Sequence, residues 1–198
     1  MIAVWLVLSI GAFAIARQNL SAPGLYYDEA VFAGLAKDFV TGQHRLHTPG
    51  FELIDLFGRP FPLFVQFYLG ALKSWILIPA LAVFGANLSV VRVTSLFCGL
   101  LALLFFMLGV RRWLGLRAAI IAGVTLAADP AYFFLSVLDW GGAITALFCR
   151  CIAFYLGARW WQTRKPAALF FASFFLGLGV FNKFDFVVFL AGTATAAL

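Results

Sequence analysis

Apolar residues fall in long runs separated by short polar turns. The runs cover 1–16, 62–84, 88–110, 116–136, 141–158, 167–182 and 186–198. A helix that crosses a bilayer needs about 20 apolar residues, so most of these runs predict membrane spans. The one long polar segment is 17–61. Within it, 28–41 (DEAVFAGLAKDFVT) predicts a helix: Val31, Phe32, Leu35, Ala36 and Phe39 recur at helical spacing. Asp28 and Glu29 fall in its first turn, where acids favour the helix dipole, and Gly42 ends it. No internal repeat or low-complexity stretch interrupts the pattern.

Basic residues orient the spans. Arg111, Arg112 and Arg117 form one cluster, and Arg159, Arg164 and Lys165 another. Lys and Arg collect on cytoplasmic loops, so both belong inside, and the hinge near Asp139 between them belongs outside. With the N-terminus inside, 17–61 is external, and an odd number of spans must then lead to Arg111. Two runs lie in between, so one of them stays on the external side. The run 62–84 carries Gln66, Lys73, Pro62 and Pro79, and a Lys at the bilayer centre costs a few kcal/mol. It is therefore expected to lie as a helix in the external interface, with Lys73 and Trp75 at headgroup level. The expected fold is all-α and polytopic. A first span precedes an external loop, 17–87, that carries two interfacial helices, and further spans follow at about 88–110, 116–136, 141–158, 167–182 and 186–198. The run 1–16 lacks a basic leader and a small-residue cleavage site, so it reads as a retained span.

Composition agrees. The chain has 198 residues, 64% hydrophobic and 11% charged, whereas a soluble domain is about a quarter charged. The net charge of +6 follows the span ends, and no nucleic-acid partner is expected. Cys98, Cys149 and Cys151 sit inside apolar runs and read as small buried hydrophobes, with neither disulfide nor zinc spacing. His44 and His47 lack a third ligand nearby and read as loop residues.

A series of short motifs runs along nearly the whole chain: Tyr27-Asp28-Glu29-Ala30, Gly42, Arg59-Pro60-Phe61-Pro62-Leu63, Phe84-Gly85, Val91-Arg92-Val93-Thr94-Ser95, Arg111-Arg112-Trp113-Leu114-Gly115, Asp129-Pro130, Asp139, Gly177-Leu178-Gly179 and Asn182-Lys183. In order and spacing it resembles the GT-C superfamily, on the branch of protein O-mannosyltransferases and aminoarabinose (lipid A) transferases. Two pieces depart from that pattern. The family commonly has Lys-Pro-Pro-Leu or His-Pro-Pro-Leu at the Arg59 segment, and Lys-Gly where this chain has Lys183-Phe184.

The resemblance implies an inverting sugar transfer from a polyprenyl-phosphate donor to a lipid, glycan or protein acceptor, at the external face of what is expected to be a bacterial inner membrane. It places acids in the first two external loops, matched by Asp28 with Glu29 and by Asp139. Such transfer needs a base for the incoming nucleophile, and Asp28 is the expected one, with Glu29 supporting it and Asp139 binding acceptor or metal. The plain alternatives are an acid-dressed helix N-terminus at 28–29 and a polar turn at 139–142 with Trp140 as an anchor. The carrier phosphate needs cations. Arg59, Lys73, Arg92 and Lys183 fall on the external side against the usual bias. Arg59, Arg92 and Lys183, with Tyr27, are the expected substrate-binding residues, while headgroup snorkelling is the competing account of Lys73. No cofactor is fixed by the pattern; a divalent cation (Mg or Mn) is compatible with it. Arg150 lies mid-span and is expected to be structural, pairing with an acid such as Asp129. Family members continue beyond the point where this chain stops, so it is expected to be the N-terminal part of one larger transmembrane domain. The competing functions are a transporter or flippase of a lipid-linked substrate, and an inactive structural homologue.

Overall fold

The structure, a computed structural model, describes residues 1–18, 20–22, 24–43 and 51–196. His44 and His47 lie outside the described residues. The element order is α1 (Ile2–Ala16), α2 (Tyr27–Thr41), β1 (Glu52–Leu56), β2 (Arg59–Gln66), β3 (Leu69–Gly70), α3 (Leu72–Phe84), α4 (Leu88–Ala127), α5 (Pro130–Leu138), a 3-10 turn (Trp140–Gly142), α6 (Ala143–Thr163), α7 (Pro166–Asn182) and α8 (Phe186–Ala196). By length and composition, Leu88–Ala127 and Trp140–Thr163 can cross a membrane, and Ile2–Ala16, Leu72–Phe84, Pro166–Asn182 and Phe186–Thr195 are shorter apolar helices.

Helix α4 is two helices joined at Gly115, whose backbone leaves the helical region (φ 84, ψ −178). A Cβ on Gly123 would lie 2.6 Å from Met107 Sδ. Sixteen residues of continuous helix would separate these positions by about 24 Å, so the chain reverses at Gly115. The returning leg is itself broken at Asp129, whose carboxylate caps α5 by accepting from the Ala131 and Tyr132 amides (2.7 and 3.2 Å), with Pro130 in the first helical position, where a missing N–H costs nothing. Tyr132 Oη donates to the Gly99 carbonyl (2.7 Å), which locks α5 against the outgoing leg. The apolar run 116–136 is therefore an interrupted leg.

Helix α6 runs parallel to the outgoing leg: the Cβ position of Gly99 meets Ile144 near one end, Gly109 packs on Phe154, and Arg112 Nη1 donates to Gln162 Oε1 (2.8 Å) near the other. Both basic clusters consequently share one end of the bundle. Helix α1 packs on α4, with Trp5 Nε1 donating to the Leu100 carbonyl (2.8 Å).

The other end is where the structure departs from an all-α expectation. Residues 52–70 form a three-stranded antiparallel sheet in the order β1-β2-β3, and the run 62–84 divides between strand and helix. Phe57 and Gly58 both have positive φ (57 and 74), the requirement of a two-residue hairpin turn, and Gly58 donates its amide to Asp55 Oδ1 (2.8 Å). Pro60 and Pro62 lie in β2 opposite Asp55 and Leu53. Strand β3 pairs only with Phe64 and Gln66, so the prolines need no donor on their free side. Helix α3 starts beside Asp139 through Lys73 and lies against α2, Ser74 donating to the Phe32 carbonyl (2.9 Å). Phe32, Leu35, Val65, Leu69, Leu77, Leu81 and Val91 make the core that joins helix, sheet and bundle.

Candidate active site at one end of the bundle

Helix α2 is anchored by its first turn. Glu29 and Arg92 are both 0% exposed and pair bidentately: Arg92 Nε donates to Oε1 and Nη2 to Oε2, each at 3.1 Å. Two further guanidinium donors are used, Nη1 on the Leu20 carbonyl (2.9 Å) and Nη2 on that of Gly24 (3.0 Å). Glu29 Oε2 further accepts from the Tyr26 amide (3.1 Å). A buried charge needs full pairing to be tolerated, and here every oxygen and nitrogen is engaged within the chain. The pair ties α1's exit, α2 and α4 together. Arg92 thus spends four of its five N–H donors within the fold and is fully buried away from the cavity, and Glu29 acts as a clamp on the helix start.

A second buried pair holds the turn between α5 and α6. Asp139 is 1% exposed and adopts the left-handed region (φ 36, ψ 71), which Asp visits more readily than most residues. Its Oδ1 accepts from the Ile144 amide (2.8 Å) and its Oδ2 from Thr145 Oγ1 (3.4 Å). Lys73 Nζ lies 3.3 Å from Oδ2 and donates to the Asp139 carbonyl (3.2 Å). Asp139 caps the start of α6 and neutralises Lys73, which is buried in the fold and does not snorkel to headgroup level. Asn182, fully buried, donates to the Gly142 carbonyl (3.1 Å) and fixes the same turn from α7.

Between these clamps lies a cavity of about 590 Å³. Tyr27, Asp28, Val31 and Phe32 of α2 form one wall; Phe51 with Val65, Gln66, Tyr68 and Leu69 of the sheet form another; Leu135, Trp140, Gly141 and Lys183 close it. Among the described lining residues Asp28 is the only carboxylate and Lys183 the only cation. Asp28 is half-buried, and its Oδ2 sits 3.7 Å from where a Cβ on Gly141 would project. This close approach rests on α2 packing against the turn, where Tyr26 meets Trp140 edge-on at 5.5 Å.

Lys183 reaches the cavity because the chain after α7 is strapped to the sheet. Leu69 and Lys183 form an antiparallel bridge, and the Phe184 amide donates to the Tyr68 carbonyl (2.9 Å). Gly70 permits the approach, since a Cβ there would fall 2.2 Å from the Phe181 carbonyl oxygen. Lys183 is 3.3 Å from Asp185, and both are partly exposed, so the pair is loose.

Two further residues lie elsewhere than expected. Arg59 is exposed and donates to the Val40 carbonyl (2.8 Å), capping the C-terminus of α2 outside the cavity. Arg150 does not meet Asp129; its guanidinium stacks 4.9 and 5.2 Å from the Phe186 and Phe189 rings. Asp129 is an exposed helix cap. The cavity residues that motif reading missed are Phe51, Gln66 and Tyr68, whose only signal was the alternation of the unrecognised strands. Among the described residues no group of three or more His, Cys, Asp or Glu side chains is placed to hold a metal ion.

A protein-family model, dolichyl-phosphate-mannose-protein mannosyltransferase, matches residues 71–198. The chain belongs to this family. The match makes it a membrane-integral chain of the GT-C type, as the motif series implies. Lys73, Arg92, Asp139 and Lys183 lie inside the matched segment, and Tyr27, Asp28, Glu29 and Arg59 precede it. No curated protein and no solved structure matches the chain.

Proposed function

We propose that the cavity receives the sugar-phosphate head of a polyprenyl-phosphate-linked donor, of the mannosyl type that the family's name carries, and that Asp28 is the base for inverting transfer at the external face. The observation that carries this is that one carboxylate, Asp28, and one cation, Lys183, line a single cavity, when Glu29 with Arg92 and Asp139 with Lys73 are neutralised as buried pairs. An acceptor hydroxyl oxygen attacks the anomeric carbon from the side opposite the phosphate. Its proton passes to Asp28 as the new C–O bond forms. The bond from the anomeric carbon to the phosphate oxygen breaks, and the polyprenyl phosphate leaves with the electron pair, its charge met by Lys183. Tyr27, Tyr68 and Trp140 supply the flat, partly polar walls that suit a sugar ring. Glu29, Arg92, Lys73 and Asp139 take positioning roles.

The test is transfer from a radiolabelled polyprenyl-phosphate mannose in membranes containing the protein. Asp28→Asn is expected to lower the rate by about 10²–10⁴-fold, the usual worth of a positioned base, with donor binding retained. Lys183→Ala is expected to weaken donor binding. A wild-type rate in Asp28→Asn refutes the assignment. Adding a chelator to the same assay tests whether a divalent cation would be needed beside Lys183 to meet the phosphate charge.

A further inference from the structure

The opposite end of the bundle is built for an anion that the active-site reading does not use. The segments 88–128 and 140–184 contain no Asp or Glu, yet they bring Arg111, Arg112, Arg117, Arg159, Arg164 and Lys165 to that end. Arg112 is held in place: Nη1 donates to Gln162 Oε1 (2.8 Å), its own carbonyl accepts from Gln162 Nε2, and its guanidinium lies 5.2 Å from the Tyr155 ring centre. Arg111 is exposed, and among the described residues no acid approaches it. Together with Leu108, Tyr155 and Gln162, the two arginines line a cavity of about 470 Å³. Two adjacent guanidinium forks match the oxygens of a phosphodiester. Trp113 and Trp161 meet at 6.2 Å, and Arg164 stacks 4.7 Å from Trp161; an aromatic layer of this kind marks the headgroup level of a membrane.

We propose that this cleft binds one anionic phospholipid, its phosphodiester on Arg111 and Arg112 and an acyl chain along Leu108. The aromatic layer favours a lipid over a soluble phosphate. The arginines differ in what they do: Arg112 is fixed by Gln162 and Tyr155, and Arg111 completes the fork only when the lipid is present.

The experiment is native mass spectrometry of the detergent-solubilised full chain titrated with phosphatidylglycerol and, separately, with phosphatidylcholine of the same acyl chains. One phosphatidylglycerol is expected to be retained in preference to phosphatidylcholine. Arg111→Gln, at an exposed position without partners among the described residues, is expected to weaken retention about fivefold, the typical attraction of one basic residue to an anionic lipid surface. Arg117→Gln, at the same end but outside the cleft, is expected to have a smaller effect. Equal retention of the two lipids overturns the proposal. So does an Arg117→Gln loss as large as that of Arg111→Gln, which assigns the attraction to diffuse charge. Displacement by millimolar inorganic phosphate overturns the lipid assignment. Each readout is independent of sugar transfer.

Discussion

The two ends of the bundle use charge in opposite ways. At the cavity end, Glu29 with Arg92 and Asp139 with Lys73 are buried as matched pairs, and each pair joins segments more than sixty residues apart in the chain. At the far end six cations gather from segments without a single acid. Buried charges must find partners inside the fold because desolvation is costly; charges at a water or headgroup boundary need none. The contrast shows which charged residues are free for chemistry. At the cavity end they are those outside the buried pairs that line the cavity, Asp28 and Lys183, the latter in a loose, partly exposed contact with Asp185.

The contrast breaks most sharply if the pairs are not structural. Removing one partner of a buried pair strands the other charge, at about 3–5 kcal/mol. Arg92→Met is therefore expected to lower thermal stability in detergent severely, and Lys73→Met nearly as much. Pairing itself is checked by the double variant Lys73→Met/Asp139→Asn, expected to recover part of the loss of its single variants; additive losses would deny the coupling.

A smaller effect concerns how the cavity is closed. Gly70→Ala pushes a methyl against the Phe181 carbonyl, and overpacking of this kind costs about 1–3 kcal/mol. The strap that carries Lys183 should loosen, which a raised KM for the donor, accompanied by a lower melting temperature, would register. Arg59→Ala removes an exposed helix cap, so a loss of about 0.5–1 kcal/mol is expected from one hydrogen bond, with transfer unchanged. A comparably small change in stability belongs to Asp28→Asn, about 0.3–1 kcal/mol from loss of a charge in the first turn of α2. If its melting temperature fell as far as that of Arg92→Met, Asp28 would belong with the scaffold and not with the chemistry.

Much of the helical framework was legible in the apolar runs. The helix over 28–41 was written in its periodicity and in Gly42, and it appears as Tyr27–Thr41 with Gly42 in the left-handed region. The three-stranded sheet was not legible: Pro60 and Pro62 argue against a strand, and only the pairing of β2 with its neighbours shows that their missing donors face no partner. The membership in a GT-C family was also readable, from motif order. The separate duties of the charged residues within those motifs were not, since Arg59, Arg92 and Lys183 look alike as isolated cations.

The sequence by itself determined where apolar helices form and where they stop, because propensity, periodicity and capping act within a few residues. It also determined that two basic clusters share one end, since both favour the cytoplasmic side and two apolar runs lie between them. Only the tertiary structure decided which acid meets which base. Ion pairing depends on side chains brought within about 4 Å by packing, and no spacing along the chain predicts that Glu29 closes on Arg92, that Asp139 closes on Lys73, and that Asp28 is left facing a cavity with Lys183.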